Sequence, residues 1–200
     1  MATNQYGNGL GHDTTMCGDP KIWFPMRVTY SREMKVKAEL DRLGIENFVP
    51  MTYKVVESRN DGDRELRRAL VPAISNLIFV RSTQERISQL KMSVEVLEPL
   101  RYMMDHTAEK PHTIMTVPDG KMQNFMRVSS RTDDSVMWLD DGTVVGKEGK
   151  RVLITGGAFE GVTGVIRRVK RSKHVVVEIE GIASVAIAYV PAGLLKEVDG

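Results

Sequence analysis

Residues 150 to 166 read Lys-Arg-Val-Leu-Ile-Thr-Gly-Gly-Ala-Phe-Glu-Gly-Val-Thr-Gly-Val-Ile, two β-branched runs separated by a span in which Gly156, Gly157, Gly161 and Gly164 surround one aromatic, Phe159. β-branched side chains favour extended backbone and closely spaced glycines permit tight reversal, so the run reads as strand, tight loop, strand. A glycine-rich loop after a strand also suits a phosphate cradle. Here no Gly-Lys-Ser/Thr follows, adjacent Gly156 and Gly157 break the dinucleotide spacing, and the span from Val162 to Val169 is β-branched where a cradle needs a helix N-terminus. The glycines therefore supply shape, with Gly157, Gly161 and Gly164 as positions of positive φ or close backbone approach.

The chain has 200 residues, 42% hydrophobic and 27% charged, which suits a folded chain of one or two domains. A net charge of +2 is too small for a whole-chain polyanion binder, so contacts with nucleic acid would have to come from local clusters. One cysteine, Cys17, excludes an internal disulfide and a cysteine-rich zinc site, and fits a reducing, cytoplasmic compartment. The first 19 residues hold no Lys or Arg and no apolar run, so residues 1–20 are expected to be a disordered tail and not a signal or membrane anchor.

From Ile22 to Tyr30 aromatic and β-branched residues favour a strand, with Pro25 suited to an edge or bulge. Ser31 is placed to cap a helix carrying Val36, Leu40 and Leu43 at helical spacing, and Gly44 to end it. A short strand spans Ile45 to Pro50 and extends into Met51 to Val56. The charged stretch from Glu57 to Arg68 reads as a solvated loop with a hairpin tip at Asn60-Asp61-Gly62-Asp63. Leu77 to Val80 suits a central strand, Ser82 with Glu85 forms a capping box for a helix bearing Ile87 and Leu90, and Asp119 is placed to cap a helix carrying Met122, Phe125, Met126 and Ser129. After Gly149 the pattern is all β, with Val175, Val177 and Ile179 alternating as one packed face requires. The change of pattern predicts an α+β chain: a domain over 21–131, a linker over 132–146 and an all-β domain over 147–200.

Apolar strand, Gly-x-Phe-x-Gly-x-x-Gly, Val-Ile and a basic turn together resemble the KOW motif of NusG-type transcription factors and some ribosomal proteins. The N-terminal half extends the likeness. Trp23 with a following aromatic, the helix ending Leu-x-x-Leu-Gly-Ile-Glu, Phe48-Val49-Pro50, and Pro72 followed by Leu77-Ile78-Phe79-Val80 resemble the NusG N-terminal domain in order and register. Ala73 and Ile74 stand where that family usually has Leu and Phe, Ser75 and Asn76 where it has Pro and Gly, and Leu77 where it has Tyr. Leu-Val-Pro-Ala-Ile-Ser-Asn-Leu-Ile-Phe-Val-Arg-Ser-Thr, Pro-Leu-Arg-Tyr-Met-Met and Ile-Ala-Tyr-Val-Pro are most similar to the UpxY-type specialised paralogs, antiterminators of long capsular polysaccharide operons. The resemblance implies an N-terminal α/β sandwich with an antiparallel sheet followed by an SH3-like KOW barrel.

It also implies partners. By register, the patch that docks on the clamp helices of the RNA polymerase largest subunit falls on Trp23, Arg27, Ile74, Leu77 and Phe79, although Trp23 and Phe79 suit a core equally well. A polymerase gate-loop contact falls on Ser88 and Gln89, and contact with the displaced non-template DNA strand on Arg32, Lys35 and Lys37. The barrel implies Rho or a small-subunit ribosomal protein as partner. Between 147 and 174 eight basic residues face two acidic ones, and Arg167, Arg168, Lys170, Arg171 and Lys173 form a basic turn that could hold nascent RNA or DNA phosphates, or simply protect strand edges.

No catalytic or metal set is apparent: His12, His106, His112 and His174 lie in unrelated contexts, and no cofactor is expected. The expected function is a non-enzymatic elongation factor that binds polymerase and suppresses pausing and termination, with a general housekeeping NusG-type factor or a ribosome-associated RNA-binding KOW protein as the other readings.

Overall fold

The computed structural model describes residues 20–60, 63–105, 112–139, 144–145 and 149–199. The tail through residue 19, with His12 and Cys17, lies outside the described residues, as do Asp61, Gly62, His106 and Lys147. In the N-terminal part the elements are β1 (Ile22–Val28), α1 (Glu33–Arg42), β2 (Asn47–Phe48), β3 (Met51–Asn60), β4 (Asp63–Pro72), β5 (Leu77–Ser82), α2 (Gln84–Ser93), β6 (Leu100–Tyr102), β7 (Met104–Asp105), β8 (Thr113–Ile114) and α3 (Asp119–Ser129). The C-terminal part adds β9 (Val136–Leu139), β10 (Val144–Val145), β11 (Arg151–Ile154), β12 (Thr163–Val169), β13 (Ser172–Ile179), β14 (Ala183–Ile187) and β15 (Leu195–Glu197).

An antiparallel four-stranded sheet, ordered β2-β5-β1-β6, carries the first half. Strand alternation sorts its side chains onto two faces. Phe24, Met26 and Val28 of β1 with Ile78 and Val80 of β5 pack against Val36 and Leu40 of α1 and Ile87 and Leu90 of α2. Trp23, Leu77 and Phe79 point the other way, into a second core with Met122, Phe125 and Val128 of α3.

The helix boundaries follow other residues than the sequence patterns indicate. Ser31 does not cap α1; it sits at φ 50 within a 3-10 turn, where its N–H donates to Asn76 Oδ1 at 2.9 Å. At α2 the cap is Thr83, whose hydroxyl accepts the Arg86 N–H, one position beyond Ser82. Asp119 is the first residue of α3 and makes no cap; its carboxylate instead takes the Arg81 guanidinium. Gly44 does end α1, at φ 66.

Two segments differ more widely from expectation. Glu57 to Arg68 is not a loop: β3 and β4 pair in unbroken register from Met51↔Pro72 to Asn60↔Asp63. Charged residues are tolerated along it because a two-stranded ribbon is open to water. The stretch expected as a linker supplies β9 and β10, which pair with β14 and β12. Val136 and Trp138 alternate at period two and so turn one face inward, giving the β14 edge a partner.

The C-terminal sheet is antiparallel and runs β15-β11-β12-β13-β14-β9, with β10 on β12. Among the described residues, pairing proceeds from β15 to β9 and no ladder joins those two strands. The expectation of one packed face holds for Val175, Val177 and Ile179, yet Val176 is also buried, with Val169 and Ala186 on the opposite face. Burial on both sides accounts for three consecutive valines in β13.

Candidate functional site, the two faces of helix α3

Helix α3 is a middle layer: it contacts β1 on one side and β13 and β14 on the other. Its first turn is tied to β5 by Arg81, whose Nε and Nη2 donate to the two Asp119 oxygens at 3.0 and 2.8 Å. Asp119 first, then Glu46, hold the Arg81 guanidinium more firmly protonated than usual. On the far side, Asn124 and Arg127 of α3 and Arg131 just beyond it reach the turn between β11 and β12. Their target is the glycine run itself, but the three residues carry no motif; their one signal is the helical spacing 124, 127, 131.

The sequence-derived docking residues are placed unevenly. Trp23, Leu77 and Phe79 come together, at 2%, 3% and 0% exposure, and Ile74 packs half-buried against their cluster. The core reading of these side chains therefore describes their packing in this arrangement. Arg27 shares their strand face but is exposed, and lines a groove of about 890 Å³ with Met103, Met104, Met115, Lys121 and Ile182.

Ser88 and Gln89 lie on the other side of the sheet, on α2. Ser88 Oγ stands 3.4 Å from the Tyr102 hydroxyl, and exposed Gln89 donates to Glu85 at 3.1 Å. On α1 and its approach Arg32 and Lys35 are exposed, with the Arg32 guanidinium 5.5 Å from the Tyr30 ring centroid. Lys37 is committed to Asp41 at 3.0 Å and to Asn47 at 3.4 Å.

Each part of the glycine loop has a geometric cause. Gly157 and Gly161 adopt φ 80, whereas a Cβ on Gly164 would stand 2.6 Å from Val175 Cγ1 and 2.8 Å from the Val176 carbonyl. Gly156 approaches Leu194, and Phe159 is buried under the Arg131 guanidinium. Within the basic turn Arg167 is a structural ion pair, its Nη2 2.5 Å from Glu178. Arg168, Lys170, Arg171 and Lys173 are exposed, and Arg168 lies directly opposite Lys173 in register. No ion-pair partner for these four is found among the described residues.

Residues 21–126, more than half of the chain, match the sequence family described as NusG, transcription termination factor nusG. The chain belongs to the NusG family. Members of the NusG family are transcription elongation and termination factors that bind RNA polymerase and are not enzymes. No curated protein matches the chain. Among the described residues, no helix is long and apolar enough to cross a membrane.

Proposed function

We propose that this NusG-family protein is a processive antiterminator of the UpxY type, serving a long polysaccharide-biosynthesis operon in the cytoplasm. It acts by differential binding: a factor that holds the polymerase clamp closed disfavours the pause-prone state by a coupling free energy of about 1–3 kcal/mol. The observation that carries the polymerase contact is the family match over 21–126, with the register-derived patch converging on one side of the sheet.

The clamp helices would meet the α3 side, through half-buried Ile74, exposed Arg27 and what surrounds Trp23, Leu77 and Phe79. Ser88 and Gln89 sit across the sheet, so contacts with clamp and gate loop would leave from opposite sides, as a bridging factor requires. Arg32 and Lys35 remain the candidates for the non-template strand. The C-terminal sheet is read as the KOW domain, with Rho or a small-subunit ribosomal protein as its partner. In the present arrangement that sheet packs on α3, so docking on this side involves moving it.

A pull-down on the isolated polymerase clamp helices tests the reading, with Ile74→Asp and Arg27→Glu beside wild type. Retention should fall in both variants; equal retention would remove the patch. Polymerase occupancy across the genome separates an operon-specific factor from a general one. A second reading, RNA binding by the C-terminal sheet, is favoured by one observation, the four exposed cations at the β12–β13 turn.

A further inference from the structure

Strands β3 and β4 form a two-stranded sheet of their own, each ten residues and so about 33 Å long. Met51 at its base packs on the core beside α1 and α2, and from Tyr53 outward no described side chain of the ribbon belongs to an apolar core. Alternation divides the ribbon into two faces. One carries three cross-strand rungs, Tyr53 with Leu70, Val55 with Arg68 and Glu57 with Leu66. On it Tyr53, Leu70, Val55 and Leu66 are 43%, 48%, 68% and 68% exposed. On the reverse face Lys54 and Arg67 are exposed, while Val56, Ala69 and Val71 are half-buried. Exposed apolar side chains gathered on one face mark an interaction surface, and a two-stranded ribbon alone in water is marginally stable.

The charges on that face indicate what covers it. Glu57 and Arg68 are its charged residues among those described, one of each sign, so the face is close to neutral and does not attract nucleic acid or an anionic surface. Neither has an ion-pair partner among the described residues; the Arg68 guanidinium rests 4.7 Å from the Tyr53 ring centroid. They stand on different strands, one rung apart. That offset makes the face complementary to itself. A second copy turned end for end, about a two-fold axis across the strands between the second and third rungs, sets its Arg68 above Leu66 and beside Glu57. The same rotation sets its Glu57 beside Arg68, with Val55 and Leu66 of both copies at the centre.

We propose that this face binds the same face of a second copy, so that the protein forms a homodimer through its ribbon. A contact of this kind closes on itself and leaves neither apolar face in water. Two short strands offer less than a standard interface, so the dimer is weak and its population follows protein concentration. The contact is independent of polymerase docking, which the reading above places on the α3 side of the four-stranded sheet.

Sedimentation equilibrium of the full chain, from about 1 to about 500 µM, covers the range in which a small interface associates. The mean mass of wild type should climb from 22.4 kDa toward twice that value. A mass that stays at the monomer value throughout overturns the proposal, including the case in which polymerase and not a second copy covers the face. Val55→Glu replaces an already exposed side chain, should keep the near-ultraviolet circular dichroism of wild type, and should weaken association about 10-fold or more. Undiminished association overturns the ribbon as the contact. Glu57→Arg and Arg68→Glu, each alone, set like charges together across the two-fold axis and should associate about 10-fold more weakly than wild type. Mixing the two variants restores opposite pairs in the mixed dimer and should raise the mean mass above that of either alone. A mixture no heavier than its components overturns the two-fold pairing.

Discussion

Phe125 stands edge-on to Trp138, ring centroids 6.1 Å apart at 75°, and on its other side tilts against Phe79 at 5.8 Å. One fully buried ring thus joins the N-terminal sheet to the first strand of the C-terminal one. Phe125→Ala should cost about 3–5 kcal/mol, the usual loss for a buried phenylalanine. Trp23 and Trp138 report from the two sides in fluorescence-detected urea unfolding. Wild type should show one coincident transition and the variant two; a single transition in both would deny the coupling.

Ile74 and Leu77 set a proposed docking position beside a core one. Leu77 is 3% exposed, so Leu77→Asp buries an uncompensated charge and should unfold the N-terminal sheet, seen as loss of near-ultraviolet circular dichroism. Ile74→Asp should cost about 1 kcal/mol and leave that signal intact. Of these two positions, polymerase-binding loss is informative for 74 and not for 77.

Glycines 161 and 164 should differ in why they resist replacement. Gly164→Ala drives a methyl group into Val175 and the Val176 carbonyl, an overpacking that should cost at least about 1–3 kcal/mol in thermal unfolding. Gly161→Ala meets a left-handed backbone and a movable guanidinium, costing about 1–2 kcal/mol. Adding Arg127→Ala should return part of the second cost and none of the first. Strict additivity of Gly161→Ala and Arg127→Ala would show that they do not touch.

Arg81 should matter modestly and in a salt-dependent way. The two bonds to Asp119 are partly solvated, so Arg81→Ala should lower stability by about 1 kcal/mol. In about 1 M salt, where screening is nearly complete beyond 3 Å, the gap to wild type should narrow. A gap that widens with salt would point to packing by the arginine stem instead.

At the β12–β13 turn the proposed nucleic-acid contact has a sharp signature. If Arg168, Lys170, Arg171 and Lys173 meet phosphates, Lys170→Ala with Arg171→Ala should flatten the salt dependence of single-stranded RNA binding by about 0.7 per cation removed. Arg167→Ala should instead lower stability, because that side chain is bound to Glu178. An unchanged slope leaves the turn as a solvated strand end.

Local chemistry made several elements legible. Val36 with Leu40 and Ile87 with Leu90 marked the buried sides of two helices, Gly44 the end of the first, and Leu77 to Val80 a central strand. Capping was harder to read: adjacent Ser82 and Thr83 offer the same hydroxyl, and it is Thr83, extended at φ −84 and ψ 150, whose side chain accepts the Arg86 N–H. The β3–β4 ribbon was obscured by its charges, which signal solvent but not whether wet backbone is paired. The β9 strand was hidden by its polar surroundings and became visible through the partner it finds in β14.

For the candidate site the division is plain. By itself the sequence determined that Trp23, Arg27 and Phe79 belong to strands and that the glycine run is a turn, because side-chain alternation and backbone freedom are properties of a few consecutive residues. Whether the face holding Trp23, Leu77 and Phe79 is wet or dry was decided only by what covers it. Burial is a relation between distant segments, and α3 with the sheet beyond it supplies the cover. The same reason hid Asn124: its spacing marks a helix face, but its partner, the Thr163 backbone 39 residues away, is chosen by the packing of one sheet against the helix of another.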